Sequence, residues 1–409
     1  MPQQVLDYAE AAALVRTEAA RLARLPHAAE TLSLLDAQGR VLAADLIADR
    51  DQPPFPRATR DGFAALADDW KGGVLKIAGL LRAGEAWAGE PVASGTCIEI
   101  MTGAPVPAGA DCVVMVEHVH RARDTVHLLP ERTIASGDNI VPTGAEARSG
   151  TLLLPAGTRL SIHGIAVAAA CGYPHVSVFR KPRVAILATG DELVDVQETP
   201  LPHQIRNSNT YTLAAQVRAL GGEPVRLPPV ADEAEALAVA IRNAARTCDL
   251  LLLSGGVSMG KYDLVEPALA AQGGVFHFTG VRIQPGKPVV FGSLNDGALP
   301  FFGLPGNPVS TIVCFALFAA PVLAALGGDQ GYGPPFAQAR LRSPVRNKPG
   351  LTRFLPARLT HDIAGSPVET IAWQGSGDLA GTARANCFLV IPEDAGDLES
   401  GVTVSVLLA

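Results

Sequence analysis

Four short segments concentrate residue types that hold anions and cations. They read Thr189-Gly-Asp-Glu192, Ser254-Gly-Gly-Val-Ser258, Gln284-Pro-Gly-Lys-Pro288 and Pro305-Gly-Asn-Pro-Val-Ser310. In the second and fourth, Gly255, Gly256 and Gly306 let backbone N–H groups approach an anion closely, and a helix starting there adds a favourable dipole. Ser254, Ser258, Asn307 and Ser310 add side-chain donors, and Lys287 supplies a fixed positive charge. The carboxylates of Asp191, Glu192, Asp232 and Asp263 offer the oxygen ligands that a hard cation such as Mg²⁺ takes. Together these residues suggest a phosphorylated ligand handled with a metal. Each Gly-rich turn taken alone also reads as a tight strand-to-helix turn.

Two further motifs suggest other chemistry. Gly256-Val-Ser258-Met-Gly260 matches the GxSxG nucleophile elbow of serine hydrolases and follows an apolar run. That chemistry needs a downstream acid and histidine, and His277 and His361 stand in no evident catalytic loop. His118 and His120 form an HxH pair that strand alternation puts on one face, as a metal pair needs. No third ligand is evident, and a solvated strand end is the plainer reading. The chain has no GxxxxGK[ST] and no GxGxxG nucleotide fingerprint.

The four segments fall where an α/β scaffold would place them. Residues 183–188 (RVAILA) and 249–253 (DLLLL) are near-continuous apolar strands, and residues 204–220 and 232–246 read as helices. Further strands are expected at 223–227, 275–278, 288–291 and 301–304. Uninterrupted apolar strands alternating with helices imply a doubly wound parallel sheet covered on both faces, with its site at the carboxyl ends of the strands. The predicted fold class is multi-domain α/β. The central α/β domain spans 180–329. A β-rich module covers 46–145, where short apolar stretches alternate with Gly/Pro turns. Residues 1–45 and 146–179 form a mixed elongated domain, with a helix over 5–25. A small barrel-like β domain of 330–409 follows the linker GGDQGYGPP.

Composition narrows the function classes. The 409 residues carry 33 Lys and Arg against 40 Asp and Glu, a net charge of −7, so a non-specific nucleic-acid coat is not expected. With 48% hydrophobic residues the chain is not intrinsically disordered. The 41 glycines and 32 prolines have no triplet period and indicate many turns. Six scattered cysteines without a CxxC pair fit reduced thiols and a cytoplasmic setting. No signal-peptide pattern opens the chain. The apolar run 312–326 would make a helix of about 22 Å, short of the roughly 30 Å hydrocarbon core, and Pro321 interrupts it. It reads as a buried helix, so no membrane association is expected.

The ordered set TGDEL (189–193), SGGVSMG (254–260), PGKP (285–288) and PGNPVS (305–310) resembles the MoeA family of molybdopterin molybdenumtransferases, which includes the gephyrin E domain. Similar segments recur along the chain: PPFPRATRDGF (53–63), MTGAPVP (101–107), GDNI (137–140), and SGDL with AN (376–379, 385–386). The resemblance implies insertion of molybdate into adenylylated molybdopterin (molybdopterin-AMP), with release of AMP and dependence on Mg²⁺. It implies a homodimer in which one subunit's β-rich module caps its partner's α/β domain, bringing Asp61 and Thr102 to that site. Asp61, Thr102, Lys287 and Asp263 would be catalytic. Ser254, Gly255, Gly256, Ser258, Pro305, Gly306, Asn307, Ser310, Arg353 and Ser376 would bind substrate. Glu192, Asp232, Asp263 and Glu146 would hold the metal. The molybdopterin adenylyltransferase and recipient molybdoenzymes are the implied protein partners.

The sequence departs from the family pattern in three places. Ala58-Thr59-Arg60 stands where Ser-Ala-Met is expected, which puts a bulky cation beside Asp61. Glu146 occupies the acidic position of a Gly-Glu-Asp segment. Gln284 replaces a lysine before Pro-Gly-Lys, so one positive charge is missing, and Arg282 is the nearest substitute. The alternatives are a non-catalytic dimeric scaffold of the same fold, a molybdopterin adenylyltransferase, and a serine hydrolase using Ser258.

Overall fold

The computed structural model describes residues 5–256, 264–360, 362–363 and 365–409. They form two compact units. The smaller comprises Ala44–Ala156 with Ile162–His175, and the larger comprises the chain up to Ala43, Gly157–Ser161 and Val176–Ala409.

The larger unit is built on a six-stranded sheet. Arg183–Ala188 lies between Glu223–Arg226 and Leu250–Ser254, parallel to both, and Leu299–Leu304 continues the parallel set. Period-two alternation sends Val184, Ile186, Leu250 and Leu252 to one face and Ala185, Leu187, Leu251 and Leu253 to the other. Both faces are therefore apolar, and both are covered by helices. Tyr8–Leu22, Asn209–Ala219 and Pro308–Leu326 pack on the first, and Ala234–Ala245 and Val265–Ala271 on the second. Asp7 and Glu10 close the start of the first helix as a capping box, the Glu10 N–H donating to Asp7 Oδ1 at 2.8 Å.

The sheet departs from the all-parallel expectation at one edge. Val290–Leu294 pairs antiparallel with Leu299–Leu304, and Val275–Phe278 pairs antiparallel with Val290–Leu294. The reason is the length of the connection. Only Asn295 to Ala298 join the first two strands, and a parallel crossover needs about a dozen residues or more. Asn295, Asp296 and Gly297 all take positive φ to make this turn.

The apolar run near 312–326 also differs from its expected form. It belongs to a helical run over Pro308–Leu326, 19 residues that are long and apolar enough to cross a membrane by length and composition, with 83% of the most apolar window buried inside the protein. Pro321 does not end it. A π-helical turn at Phe315–Ala319 widens the helix just before Pro321, which eases the clash a proline ring makes with the preceding turn.

The expected small C-terminal barrel is present. Thr352–Leu359, Pro367–Thr370, Phe336–Leu341, Thr403–Leu408 and Cys387–Ile391 pair in that order, and the last closes back on the first. Its centre is filled by Ala357, Val368, Leu389, Ile391 and Val406.

The smaller unit holds a second six-stranded sheet, in the order Cys112–Met115, Gly62–Ala65, Thr96–Ile100, Leu75–Leu81, Thr125–Leu128, Val119–Ala122. Gly62 permits a close strand approach. A Cβ at that position would collide with the Val114 carbonyl.

Candidate active site

The carboxyl ends of the parallel strands open into a cleft of about 800 Å³. Three of the four segments singled out in the sequence converge on it. Thr189, Gly190 and Glu192 follow the first strand, Ser254 ends the second with Gly255 and Gly256 after it, and Pro305, Gly306 and Asn307 follow the third. The fourth contributes Pro288. Gly255 and Gly256 take φ of 91° and 63°. A Cβ on Gly255 would lie 2.6 Å from the Thr189 carbonyl oxygen, so this loop fits against its neighbour only as glycine.

Short hydrogen bonds fasten the loops. Asn209, in the first turn of the helix Asn209–Ala219, donates through Nδ2 to Ser254 Oγ and to the Gly306 carbonyl, both at 2.8 Å. Thr311 Oγ1 donates to the Pro305 carbonyl at 2.6 Å. Asn307 Nδ2 donates to Ser376 Oγ at 2.9 Å, and the Val309 N–H donates to the Ser376 carbonyl at 3.0 Å. Ser376 thus ties the C-terminal segment to the lip of the cleft, which Gly377 and Leu379 also line. We expect Asn209→Ala to strand a buried hydroxyl and a carbonyl and to lower stability by about 1–3 kcal/mol, read from a urea midpoint.

Glu192 and Asp232 both line the cleft. Asp191 Oδ1 accepts from the Asp232 N–H at 3.3 Å, which places a further carboxylate near Asp232. Partial burial first, and then the charges of Asp191 and Glu192, push the Asp232 carboxyl above the ordinary range. A divalent cation would relieve that repulsion, and oxygen-only donors suit Mg²⁺. Among the described residues no three His, Cys, Asp or Glu side chains are grouped closely enough to hold a metal by themselves. Ser258 and Asp263 lie outside the described residues.

Several candidates are placed elsewhere. Lys287 is exposed and does not line the cleft; its carbonyl accepts from the Val281 N–H at 3.0 Å. Ser310 is buried in the first turn of its helix. Arg353 lies on a barrel strand opposite Gln284, its Nη2 donating to the Lys348 carbonyl at 3.4 Å. Arg282 is engaged by Glu393 at 2.9 Å and Asp7 at 3.7 Å. In the smaller unit, Asp61 is exposed, and Thr102 donates to its Oδ1 from the hydroxyl at 2.6 Å and from the backbone at 2.7 Å. These two bonds, the hydroxyl's first, hold the Asp61 carboxyl below the ordinary range. Glu146, in the same unit, is ion-paired with Arg57 at 2.7 Å.

His277 and His120 find other surroundings. His277 packs its ring on Phe291 at 4.8 Å and is absent from the cleft lining, and burial pushes its pKa down. His361 lies outside the described residues. His120 stands opposite His127 across a strand pair, with ring centroids 5.0 Å apart.

Sequence reasoning missed Arg206, Asn207, Ser208 and Asn209, all of which line the cleft. The signal was the polar run Arg-Asn-Ser-Asn at 206–209, which stands inside the stretch 204–220 expected to be helical. In the structure Ile205–Arg206 is a short strand paired with Leu193–Val194, and the helix starts at Asn209.

Comparison with known proteins matches this architecture. Three family descriptions cover the chain in order: "MoeA N-terminal region (domain I and II)" over 6–172, "Probable molybdopterin binding domain" over 185–325, and "MoeA C-terminal region (domain IV)" over 338–409. A Nostoc sp. protein named molybdopterin molybdenumtransferase is 34% identical over 393 residues, spanning 92% of this chain and 88% of that protein. A Bacillus subtilis protein of the same name is 33% identical over 387 residues, spanning 93% and 89%. The crystal structure of a molybdopterin biosynthesis moeA protein from Pyrococcus horikoshii OT3 superposes with a TM-score of 0.80 at 30% identity, covering 99% of this chain and 100% of that one. Strand-end loops, closing barrel and end-to-end similarity agree, and the chain belongs to the MoeA family.

Proposed function

We propose that this chain is a molybdopterin molybdenumtransferase that inserts molybdate into adenylylated molybdopterin and releases AMP. One observation carries the reading most directly. A single cleft sets two carboxylates, one with a raised pKa, against glycine loops rich in backbone donors. Anionic substrates handled with a cation need that combination.

The chemistry balances without an external oxidant or reductant. One oxo group of molybdate leaves as water with the two dithiol protons while two Mo–S bonds form. Water cleaves the phosphoanhydride, giving AMP and the pterin phosphate. Ser254, Gly255, Gly256, Gly306 and Asn307 cradle phosphate or pterin in this reading. Glu192 and Asp232, together with Asp263, would hold Mg²⁺, which would supply charge neutralisation at the phosphoanhydride. Asp61 with Thr102 takes a catalytic role, and Lys287, Arg353, Ser310 and Ser376 act at the margins. The reading includes a homodimer in the cytoplasm, with the adenylyltransferase and recipient molybdoenzymes as partners.

The test is a reaction of purified protein with adenylylated molybdopterin, Mg²⁺ and molybdate. Molybdate-dependent AMP release that activates an apo-molybdoenzyme supports the reading. Nucleotide binding without molybdate-dependent release makes the chain a scaffold.

A further inference from the structure

The cleft has a charge requirement that the expected cation does not meet. Lys287 does not line it, and Arg282 is engaged by Glu393 and Asp7. Among the described lining residues, Arg206 is the single cation, against the carboxylates of Glu192 and Asp232. We infer that Arg206 and Asn207 form a phosphate subsite on the rim of the cleft, the place where a phosphate group of the substrate is held. The inference rests on the proposed reaction and deepens it.

Local structure explains why these two residues are available. Leu193–Val194 and Ile205–Arg206 pair in parallel outside the main sheet. The Ile205 N–H donates to the Glu192 carbonyl at 2.8 Å and the Asn207 N–H to the Val194 carbonyl at 2.9 Å. This ladder fixes the cation's segment directly against the carboxylate's segment. Arg206 donates through Nε to the Glu198 carbonyl at 3.1 Å, which orients the guanidinium. No carboxylate pairs with it among the described residues, so the two terminal nitrogens remain as a planar fork. A planar fork matches two oxygens of one phosphate.

Asn207 adds the second donor. It is 5% exposed, its Oδ1 accepts from the Thr210 N–H at 3.2 Å, and it lines the cleft. Among the described residues none accepts from its Nδ2. A buried amide whose oxygen is satisfied by the helix, on a residue that lines the cleft, has its NH₂ left to offer an anion. Glu192 and Asp232 line the same cleft and would take the cation that accompanies the phosphate.

The test compares the purified full chain with Arg206→Ala, Arg206→Lys and Asn207→Asp. The last keeps the acceptor for Thr210 and removes the donor. The first readout is calorimetric affinity for inorganic pyrophosphate at fixed Mg²⁺ and two ionic strengths. We expect Arg206→Ala to weaken binding about 10- to 100-fold, and Asn207→Asp to weaken it at least 10-fold. Arg206→Lys should recover part of the loss, because it restores charge without the fork. Salt should weaken the wild type more than Arg206→Ala. The second readout is turnover: KM for adenylylated molybdopterin should rise with kcat within about threefold. Pyrophosphate affinity equal to wild type in Arg206→Ala and Asn207→Asp overturns the subsite, as does no pyrophosphate binding by the wild type. Calorimetry needs no turnover, so an inactive wild type with normal variant effects overturns the reaction and leaves the subsite standing.

Discussion

Asp232→Asn is expected to lower molybdate-dependent AMP release by about 100- to 1,000-fold, the scale of losing a preorganised electrostatic group. The change removes the carboxylate charge proposed to hold the metal while keeping size and shape. Thermal stability should hold or rise. Burial and the neighbouring Asp191 and Glu192 raise the Asp232 pKa in the folded protein. A carboxyl whose folded pKa is raised costs stability as pH climbs from its unfolded pKa through its folded one. Asparagine removes that cost above this window, so the variant's advantage should fade in acid. Mg²⁺ supplies a further discriminator. Saturating Mg²⁺ should raise the wild-type melting temperature, because an ion at 100 times its Kd stabilises by about 2.7 kcal/mol. The same addition should leave Asp232→Asn nearly unmoved. A variant with full activity and a normal Mg²⁺ shift would remove Asp232 from the metal set.

The largest expected stability effect lies in the sheet that carries the loops. Phe302 is fully buried on a central strand, and its ring stacks on Phe291 with centroids 4.5 Å apart and planes 8° apart. Phe302→Ala should cost about 3–5 kcal/mol, since the surrounding strands and helices cannot close over the void. The stack itself adds roughly 0.5–1.5 kcal/mol to what burial contributes. Phe302 is two residues from the end of its strand, and Pro305, Gly306 and Asn307 follow it. The variant should therefore lose pyrophosphate affinity as well as stability, with a lowered urea midpoint for the larger unit. Phe302→Leu should recover most of both. A loss under about 1 kcal/mol would contradict this picture of the core.

The sequence made the strand-end chemistry readable because it was local. RVAILA and DLLLL are uninterrupted apolar runs, and each is followed at once by its loop. Their alternation between two helix-covered faces follows from the period of a strand. The antiparallel edge was missed, although Asn295-Asp-Gly297 is a hairpin signal of Asn, Asp and Gly. Helix-strand alternation over the preceding hundred residues outweighed three residues. The break at Pro321 was overread, because a π turn that tolerates proline leaves no mark in hydrophobic spacing. Arg206 escaped notice for a different reason. The pairing of Ile205–Arg206 with Leu193–Val194 is two residues long, too short for any periodicity, and the paired residues are twelve apart in sequence. Cross-strand register is similarly invisible, so the HxH pair gave no hint that His127 faces His120.

In the proposed reaction one cleft couples metal insertion to nucleotide release. The most direct measurement counts both products in one reaction. Purified protein is mixed with adenylylated molybdopterin, Mg²⁺ and limiting molybdate, and pterin-bound molybdenum and free AMP are quantified by mass spectrometry over time. One molybdenum in the pterin for each AMP, with both absent when molybdate is withheld, is the predicted result. AMP released at the same rate without molybdate, or molybdenum-free pterin accumulating beside AMP, would contradict it.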